Sequence, residues 1–169
     1  KDHGDILLES GDPDAALEEN RTADRLKPDD ADTLSGMGSA HLIRGLARGD
    51  EAPVDQALVA YQKAERLQPE LPRTLFGLCT IRHLRGDREA ALSALRTFAR
   101  AHPEAMTEAD CYGRLAHHFN NIAWLLANAT EISLRNPARA VELAREAVTL
   151  EAGEPAYWNT LGVARYRTG

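Results

Sequence analysis

The hydrophobic and polar positions along the chain repeat with a helical period, and the helical stretches end at turn residues. Three amphipathic segments of the same form end in proline, and a fourth matches them but ends in Ala152. Proline cannot continue a helix, so the pattern predicts separate helices that stop at these points. The four segments are DPDAALEENRTADRLKP (12–28), VDQALVAYQKAERLQP (54–69), DREAALSALRTFARAHP (87–103) and NPARAVELAREAVTLEA (136–152).

A second type of helical stretch precedes the last three of these segments. Its three copies are DTLSGMGSAHLIRG, RTLFGLCTIRHLRG and HHFNNIAWLLAN. YWNTLGVARYRTG, near the end, is a further copy, and GDILLESG at the beginning matches the tail of the same unit. The chain is therefore predicted to contain an internal repeat made of a first and a second helix.

Residue sizes recur at fixed positions of this repeat. The second helix has a small residue at one position: Ala16, Ala57, Ala91 and Ala140. The first helix has a small residue at another: Gly4, Gly38, Cys79, Ala123 and Gly162. Four positions before it stands a large residue: Leu34, Leu75, Phe119 and Trp158. This register resembles the tetratricopeptide repeat (TPR), a helix–turn–helix unit of 34 residues. The resemblance implies an all-α fold, a right-handed α-solenoid of about nine helices with a concave inner wall.

The resemblance covers nearly the whole chain as a single array of unequal units. Two units contain extra residues, around LARGDEAP in residues 31–71 and around NATEISLRN in residues 116–154. Both insertions are expected to lengthen the turn between the two helices of a repeat, where a longer loop costs little free energy. Thr107 and Asp110 fit a helix-start capping pattern, which predicts a long helix from about residue 107 to about residue 127. The units are a partial repeat (1–30), a repeat with an inserted loop (31–71), a repeat (72–105), a helix extension (106–115), a repeat with an inserted loop (116–154) and the first helix of a truncated repeat (155–169).

The last helix raises the question of what packs against it. Gly162 holds a position where the paired second helix should approach closely, and the sequence contains no second helix after it. Lys1 likewise falls inside a first helix. The pattern predicts a fragment of a longer array, with self-association through the exposed terminal helix as one expected consequence.

Composition supports a helical protein and limits the classes of partner that the chain is expected to bind. Ala and Leu occur 28 and 22 times, whereas Val and Ile occur five times each, which favours helix over sheet. The net charge of −6 argues against a nucleic-acid partner. No apolar run approaches the roughly 18 residues that membrane insertion requires. Two cysteines are too few for a disulfide framework, so a cytoplasmic protein is expected.

The sequence predicts no catalytic residue, no metal site and no cofactor, because the usual catalytic motifs are absent. His117 and His118 are adjacent and would point about 100° apart on a helix, with no carboxylate four residues from either. Cys79 stands at the small-residue position and is expected to be a buried thiol, and Cys111 has no evident base beside it. An α/α-barrel enzyme is disfavoured, because its acidic pairs have no counterpart here.

The candidate site comes from the resemblance, which implies that certain first-helix positions face the concave groove. Aromatic rings among amides, histidine and arginine suit an extended peptide or a partner helix. Two alternatives stay open: the inserted long helix could cover Trp124, and Asn120 and Asn121 could be structural residues that bridge neighbouring helices. The family's clamp for chaperone-tail carboxylates is not reproduced. The predicted binding residues are Arg73, Phe76, Thr80, His83, His117, Asn120, Trp124, Asn159, Val163 and Tyr166.

The functional expectation is a non-catalytic scaffold that binds a protein or peptide partner in its groove. The alternative is a regulatory or dimerisation segment of a larger signalling enzyme. NNIAWLLA, NPARAVELAREAV and YWNTLGVARYRTG are similar to repeat regions beside serine/threonine kinase domains in some bacterial signalling proteins.

Overall fold

All regular structure in the described part of the chain is helical. The structure is a computed structural model, and it describes residues 12–169. This part contains eight α-helices, one 3-10 turn and no strand, which confirms the prediction of an α-solenoid of helical repeats. The ninth predicted helix, with Lys1 and Gly4, lies outside the described residues. The elements are α1 (Pro13–Leu26), α2 (Ala31–Arg48), α3 (Glu51–Leu67), α4 (Pro72–Leu84), α5 (Arg88–Ala101), α6 (Glu108–Asn128), the 3-10 turn (Ile132–Leu134), α7 (Pro137–Leu150) and α8 (Pro155–Thr168).

Side-chain caps fix where most of these helices start. Asp12, Asp30 and Asp50 each accept a backbone N–H from the first turn of α1, α2 and α3 respectively. A reciprocal capping box joins Thr107 and Asp110 at the start of α6. The predicted long helix is thereby confirmed to within one residue at each end.

The chain divides into two compact units, the first ending at Ala91 and the second beginning at Leu92, within α5. In the first unit α2 packs against α1, α3 and α4, and α3 packs against α4. In the second unit α6 packs against α7 and α8, and α7 packs against α8. Contacts to the next helix and to the next but one are typical of stacked helical hairpins. Ala57, Ala91 and Ala140, which share the small-residue position of the second helix, are all buried.

Tyr61 of α3 lies at the centre of the first unit and is fully buried. Its ring is held between two glycines, because a Cβ added to Gly38 of α2 or to Gly77 of α4 would lie 2.8 and 2.2 Å from ring carbons. Its hydroxyl hydrogen-bonds to the hydroxyl of Ser39 at 2.9 Å, and burial raises the pKa of Tyr61 to about 12. The expected close approach at Gly38 is therefore present.

The two insertions take different forms. The residues LARGDEAP were expected to lengthen a turn, but they extend α2 and α3, and only Gly49 and Asp50 separate these helices. Gly49 adopts a left-handed φ of 66°, which suits a helix C-terminus, and Asp50 caps the next helix. The second insertion does form a loop, residues 129–136, which holds the 3-10 turn and buries Leu134.

Candidate functional site

The residues predicted on α4 do not form an open surface. Every residue in 74–81 is buried, so α4 is covered on all sides over these two turns. Phe76 is 7% exposed, and the Thr80 hydroxyl, also buried, donates to the Phe76 carbonyl at 2.9 Å. Arg73 and His83, near the two ends of the helix, are half-buried. The structure thus corrects the expectation that the side chains of Phe76 and Thr80 face an open groove.

The residues predicted on α6 lie on one side of that helix. His117, Asn120 and Trp124 are three and four residues apart, the spacing of neighbours on a helix surface. His117 is exposed, and 46% of Trp124 is exposed, so the long helix does not bury the indole ring. One turn further on, the amide of Asn128 donates to the Trp124 carbonyl at 3.2 Å and fixes the end of the helix.

Asn120 combines burial with an unused acceptor. Only 9% of the residue is exposed, and its side-chain oxygen Oδ1 has no hydrogen-bond partner among the described residues. A buried polar atom without a partner costs about 1–3 kcal/mol, so most such atoms in proteins are paired. The alternative that this oxygen bridges neighbouring helices finds no support in its contacts.

By their positions in the repeat, the binding residues predicted on α8 lie next to the row of His117, Asn120 and Trp124 on α6. Asn159 and Val163 occupy the same repeat positions as Asn120 and Trp124, and α8 packs against α6. Equivalent positions on packed first helices face the same side. Asn159 is exposed, Val163 is half-buried and Tyr166 is 82% exposed. We call this set the α6–α8 surface; its members are His117, Asn120, Trp124, Asn159, Val163 and Tyr166.

The opposite side of α8 anchors this surface to the second unit. Tyr157, Thr160, Leu161 and Ala164 are buried there. The Tyr157 hydroxyl donates to a carboxylate oxygen of Glu151 at 3.4 Å. Burial, followed by the charge of Glu151, raises the pKa of Tyr157 to about 12, so this phenol stays neutral.

Among the described residues, five large apolar side chains are exposed although none was predicted as a binding residue: Leu26, Val59, Leu67, Ile132 and Trp158. Trp158 holds the large-residue position of its repeat, where its counterparts Leu34, Leu75 and Phe119 are buried, yet 54% of Trp158 is exposed. Its indole N–H donates to the Ala152 carbonyl at 2.9 Å. Ile132 is also exposed and lies in the inserted loop. The only sequence feature that marked this position was the insertion itself.

Groups with chemical reactivity do not cluster in the described part of the chain. Cys79 is buried with its sulfur 3.4 Å from the Ala91 carbonyl, at the small-residue position where it was expected. Burial, followed by the charge of Asp110, raises the pKa of the Cys111 thiol, which disfavours the reactive thiolate. Among residues 12–169, no three histidine, cysteine or acidic side chains come together in a way that could hold a metal ion. No helix in this range is long and apolar enough to cross a bilayer.

Comparison with known proteins supports the fold. No protein-family model matches the chain, and no curated protein sequence matches it. Among solved structures, "MamA RS-1 ArsTM double mutant" is similar over 98% of this chain and 80% of that one, with a TM-score of 0.51 and 20% sequence identity. MamA is a TPR-containing protein. At this identity the likeness shows the fold alone, which is a TPR-like helical repeat.

Proposed function

We propose that the chain is a non-catalytic protein-interaction scaffold that binds an extended peptide on the α6–α8 surface. The observation that carries this proposal is the buried, unpaired Oδ1 of Asn120, one helical turn from the exposed ring of Trp124. Oδ1 is closed off from solvent in the free chain, so a rotation of the Asn120 side chain has to bring it to a ligand N–H, where it gains a full hydrogen bond.

The unpaired acceptor favours an extended peptide over a partner helix. In a helix the backbone N–H groups beyond the first turn are already bonded within the helix, whereas an extended segment has donors available along its length. Asn159 offers a second amide at the equivalent position of α8. The Trp124 ring supplies apolar area beside these amides, and tryptophan is enriched among residues that dominate binding energy.

A peptide-display selection against the intact chain tests this proposal. Peptides that bind the wild-type chain are expected to lose more than about 1 kcal/mol of binding free energy on Trp124→Ala, roughly a fivefold weaker Kd or more, as hot-spot residues do. Asn120→Ala is expected to weaken the same peptides by removing the acceptor. Because Trp124 is half-exposed, its replacement should leave the helical circular dichroism and the Tm nearly unchanged.

Ile132→Ala is the matched control, since it removes another exposed apolar side chain outside the α6–α8 surface. Selected peptides should bind this variant with unchanged Kd. Equal affinity for Trp124→Ala and the wild-type chain would remove the α6–α8 surface as the binding site.

A role as a regulatory or dimerisation segment of a larger signalling enzyme, such as a bacterial serine/threonine kinase, stays a prediction. It rests on the sequence similarity of three short stretches in residues 120–169. The sequence of the complete reading frame, which would or would not encode a kinase domain, tests it directly.

A further inference from the structure

The long helix α6 begins earlier in the repeat than the other first helices of the described chain. In α2, α4 and α8 the small residue of the register stands seven residues after the first helical residue, as Gly38 does after Ala31. In α6 the corresponding separation, from Glu108 to Ala123, is fifteen residues. About two helical turns at the start of α6 therefore have no counterpart on α2, α4 or α8.

One straight row of accessible side chains runs along α6 from this extension to the end of the helix. Its members are alternately three and four residues apart, a spacing that keeps them on one side of an α-helix. Arg114, His117 and Trp124 are exposed, and Asn121 and Asn128 are half-buried. We call these five residues the α6 row. The row shares His117 and Trp124 with the α6–α8 surface and adds Arg114 from the extension.

Arg114 is the permanently charged member of the α6 row. Its guanidinium forms no hydrogen bond or ion pair with another residue of the described chain. The nearest acidic residue on α6 is Asp110, one turn earlier, and the capping box occupies its carboxylate. There Oδ2 accepts the backbone N–H of Thr107 at 2.9 Å and the Thr107 hydroxyl at 2.6 Å. The donors of Arg114 therefore remain available to a ligand.

Carboxylates are absent from the rest of α6, since residues 111–128 contain neither Asp nor Glu. Glu151 approaches α6 from outside the helix, because a Cβ added to Gly113 would lie 3.5 Å from its Oε2. Gly113 and Arg114 point about 100° apart around the helix, so Glu151 lies on the other flank of the row. The whole chain carries a net charge of −6 and repels anions at long range. An acidic ligand is attracted only locally, and the flank with Arg114 provides such a place.

The length of the α6 row sets the spacing that a bound peptide must have. Arg114 and Trp124 are ten residues apart, which corresponds to about 15 Å along the helix. An extended peptide rises about 3.3 Å per residue, so about four or five of its residues span this distance. Asn121 lies between the two side chains, and its amide forms no hydrogen bond within the described chain. It offers a donor and an acceptor to the peptide backbone on the way.

We propose that the peptide bound on the α6–α8 surface is acidic and carries an Asp or Glu side chain that pairs with Arg114. This carboxylate stands about four or five residues from the peptide residue that packs on the Trp124 ring. The inference rests on the proposed function, because it takes Trp124 as part of the peptide site. It gives the extension of α6 a role in partner selection, since Arg114 is absent from the repeat itself.

Parallel selections from a display library test this inference. Random peptides of about 12 residues, long enough to span the α6 row, are selected on the wild-type chain and on Arg114→Gln. The wild-type selection should be enriched in Asp and Glu four or five residues from an aromatic or large apolar residue. Arg114→Gln should remove this enrichment, and Arg114→Glu should replace it with Lys and Arg. Both variants should fold, because the position is exposed and the new residues are good helix formers.

Affinities of synthetic peptides give the second measurement. The peptides are amidated at the C-terminus, so that side chains supply the only carboxylates. Replacing the enriched acidic residue by its amide, or Arg114 by Gln, should each raise the Kd about two- to fivefold, as expected for an exposed ion pair. The two changes together should weaken binding no more than either alone, because both remove the same contact. The effect should shrink at high salt.

Arg145→Gln is the matched control, because it removes the same charge from an exposed position on α7, outside the α6 row. It should leave both the Kd and the acidic enrichment unchanged. Peptides that lose binding on Trp124→Ala but bind Arg114→Gln as tightly as the wild-type chain would overturn the inference and leave the proposed function intact. Binding that requires a free C-terminal carboxylate would also overturn it. Peptides insensitive to Trp124→Ala would overturn both.

Discussion

Two glycines of first helices, Gly77 and Gly162, face opposite environments at the scale of single residues. Gly77 lies against the buried ring of Tyr61, whereas Gly162 faces open space. Gly77→Ala should therefore lower the free energy of unfolding by about 1–3 kcal/mol through overpacking. Gly162→Ala should raise it by about 0.5–1 kcal/mol through helix propensity. Urea unfolding of the two variants measures both effects, and shifts of the same sign would contradict the assigned environments.

His41 should make stability depend on pH. Its ring is buried, with Nδ1 3.2 Å from an Arg44 guanidinium nitrogen. The pKa of His41 is lowered to about 4, first by burial and then by the charges of Arg44 and Arg21. In the unfolded chain the His41 ring takes up a proton near pH 6.5. Its contribution to the free energy of unfolding is therefore complete above that pH and is lost as the pH falls towards 4. It amounts to at most about 3 kcal/mol, at about 1.4 kcal/mol per pKa unit.

Urea unfolding at pH 7 and at pH 5 measures this effect. His41→Gln should reduce the difference between the two pH values, whereas His117→Gln, at an exposed position, should leave it as in the wild type. Carboxylates with a lowered pKa, such as Asp30, Glu108 and Asp110, change stability mainly below this interval, and the part of the difference that is lost in His41→Gln belongs to this histidine. A wild-type difference that survives in His41→Gln would assign the pH dependence to other groups.

Phe76 and Trp124 show how much of the site was predictable from the sequence. The repeat rule assigned both to the groove, but only Trp124 is exposed. The difference was already present in the local sequence. TLFGLCTI around Phe76 has no charged residue and is apolar on every side of a helix, whereas HHFNN before Trp124 supplies a polar side. The unpaired oxygen of Asn120 could not be predicted, because it depends on the atoms around it and not on the residue type.

At the scale of secondary-structure elements, the helices could be predicted from the sequence. For the insertions the sequence predicted the position but not the structure that they form. In the first insertion LAR continues a helix with good helix formers until Gly49 ends it, and Asp50 starts the next helix at once. The second insertion, NATEISLRN, contains β-branched and short polar residues and ends before Pro137, so it forms a loop. Propensity within each insertion separates the two outcomes, whereas the count of extra residues does not.

At the scale of the whole molecule, the fold follows from small residues that recur at one register position. Ala57, Ala91 and Ala140 come from three different repeats and all are buried in the structure. A bulky side chain at this position should therefore overpack a helix–helix contact wherever it is introduced. Ala57→Leu, Ala91→Leu and Ala140→Leu are each expected to lower the free energy of unfolding by about 1–3 kcal/mol.

Ala138→Leu is the control for this series, because Ala138 lies on α7, two residues from Ala140, and is exposed. It should change the free energy of unfolding by no more than about 0.5 kcal/mol, as surface substitutions usually do. Urea unfolding of all four variants measures the comparison. Three similar losses beside a neutral control would establish one register for repeats in both units. If Ala91→Leu alone were neutral, the repeat in residues 72–105 would have a different register from its neighbours, and the assignment of Cys79 to the small-residue position would fall with it.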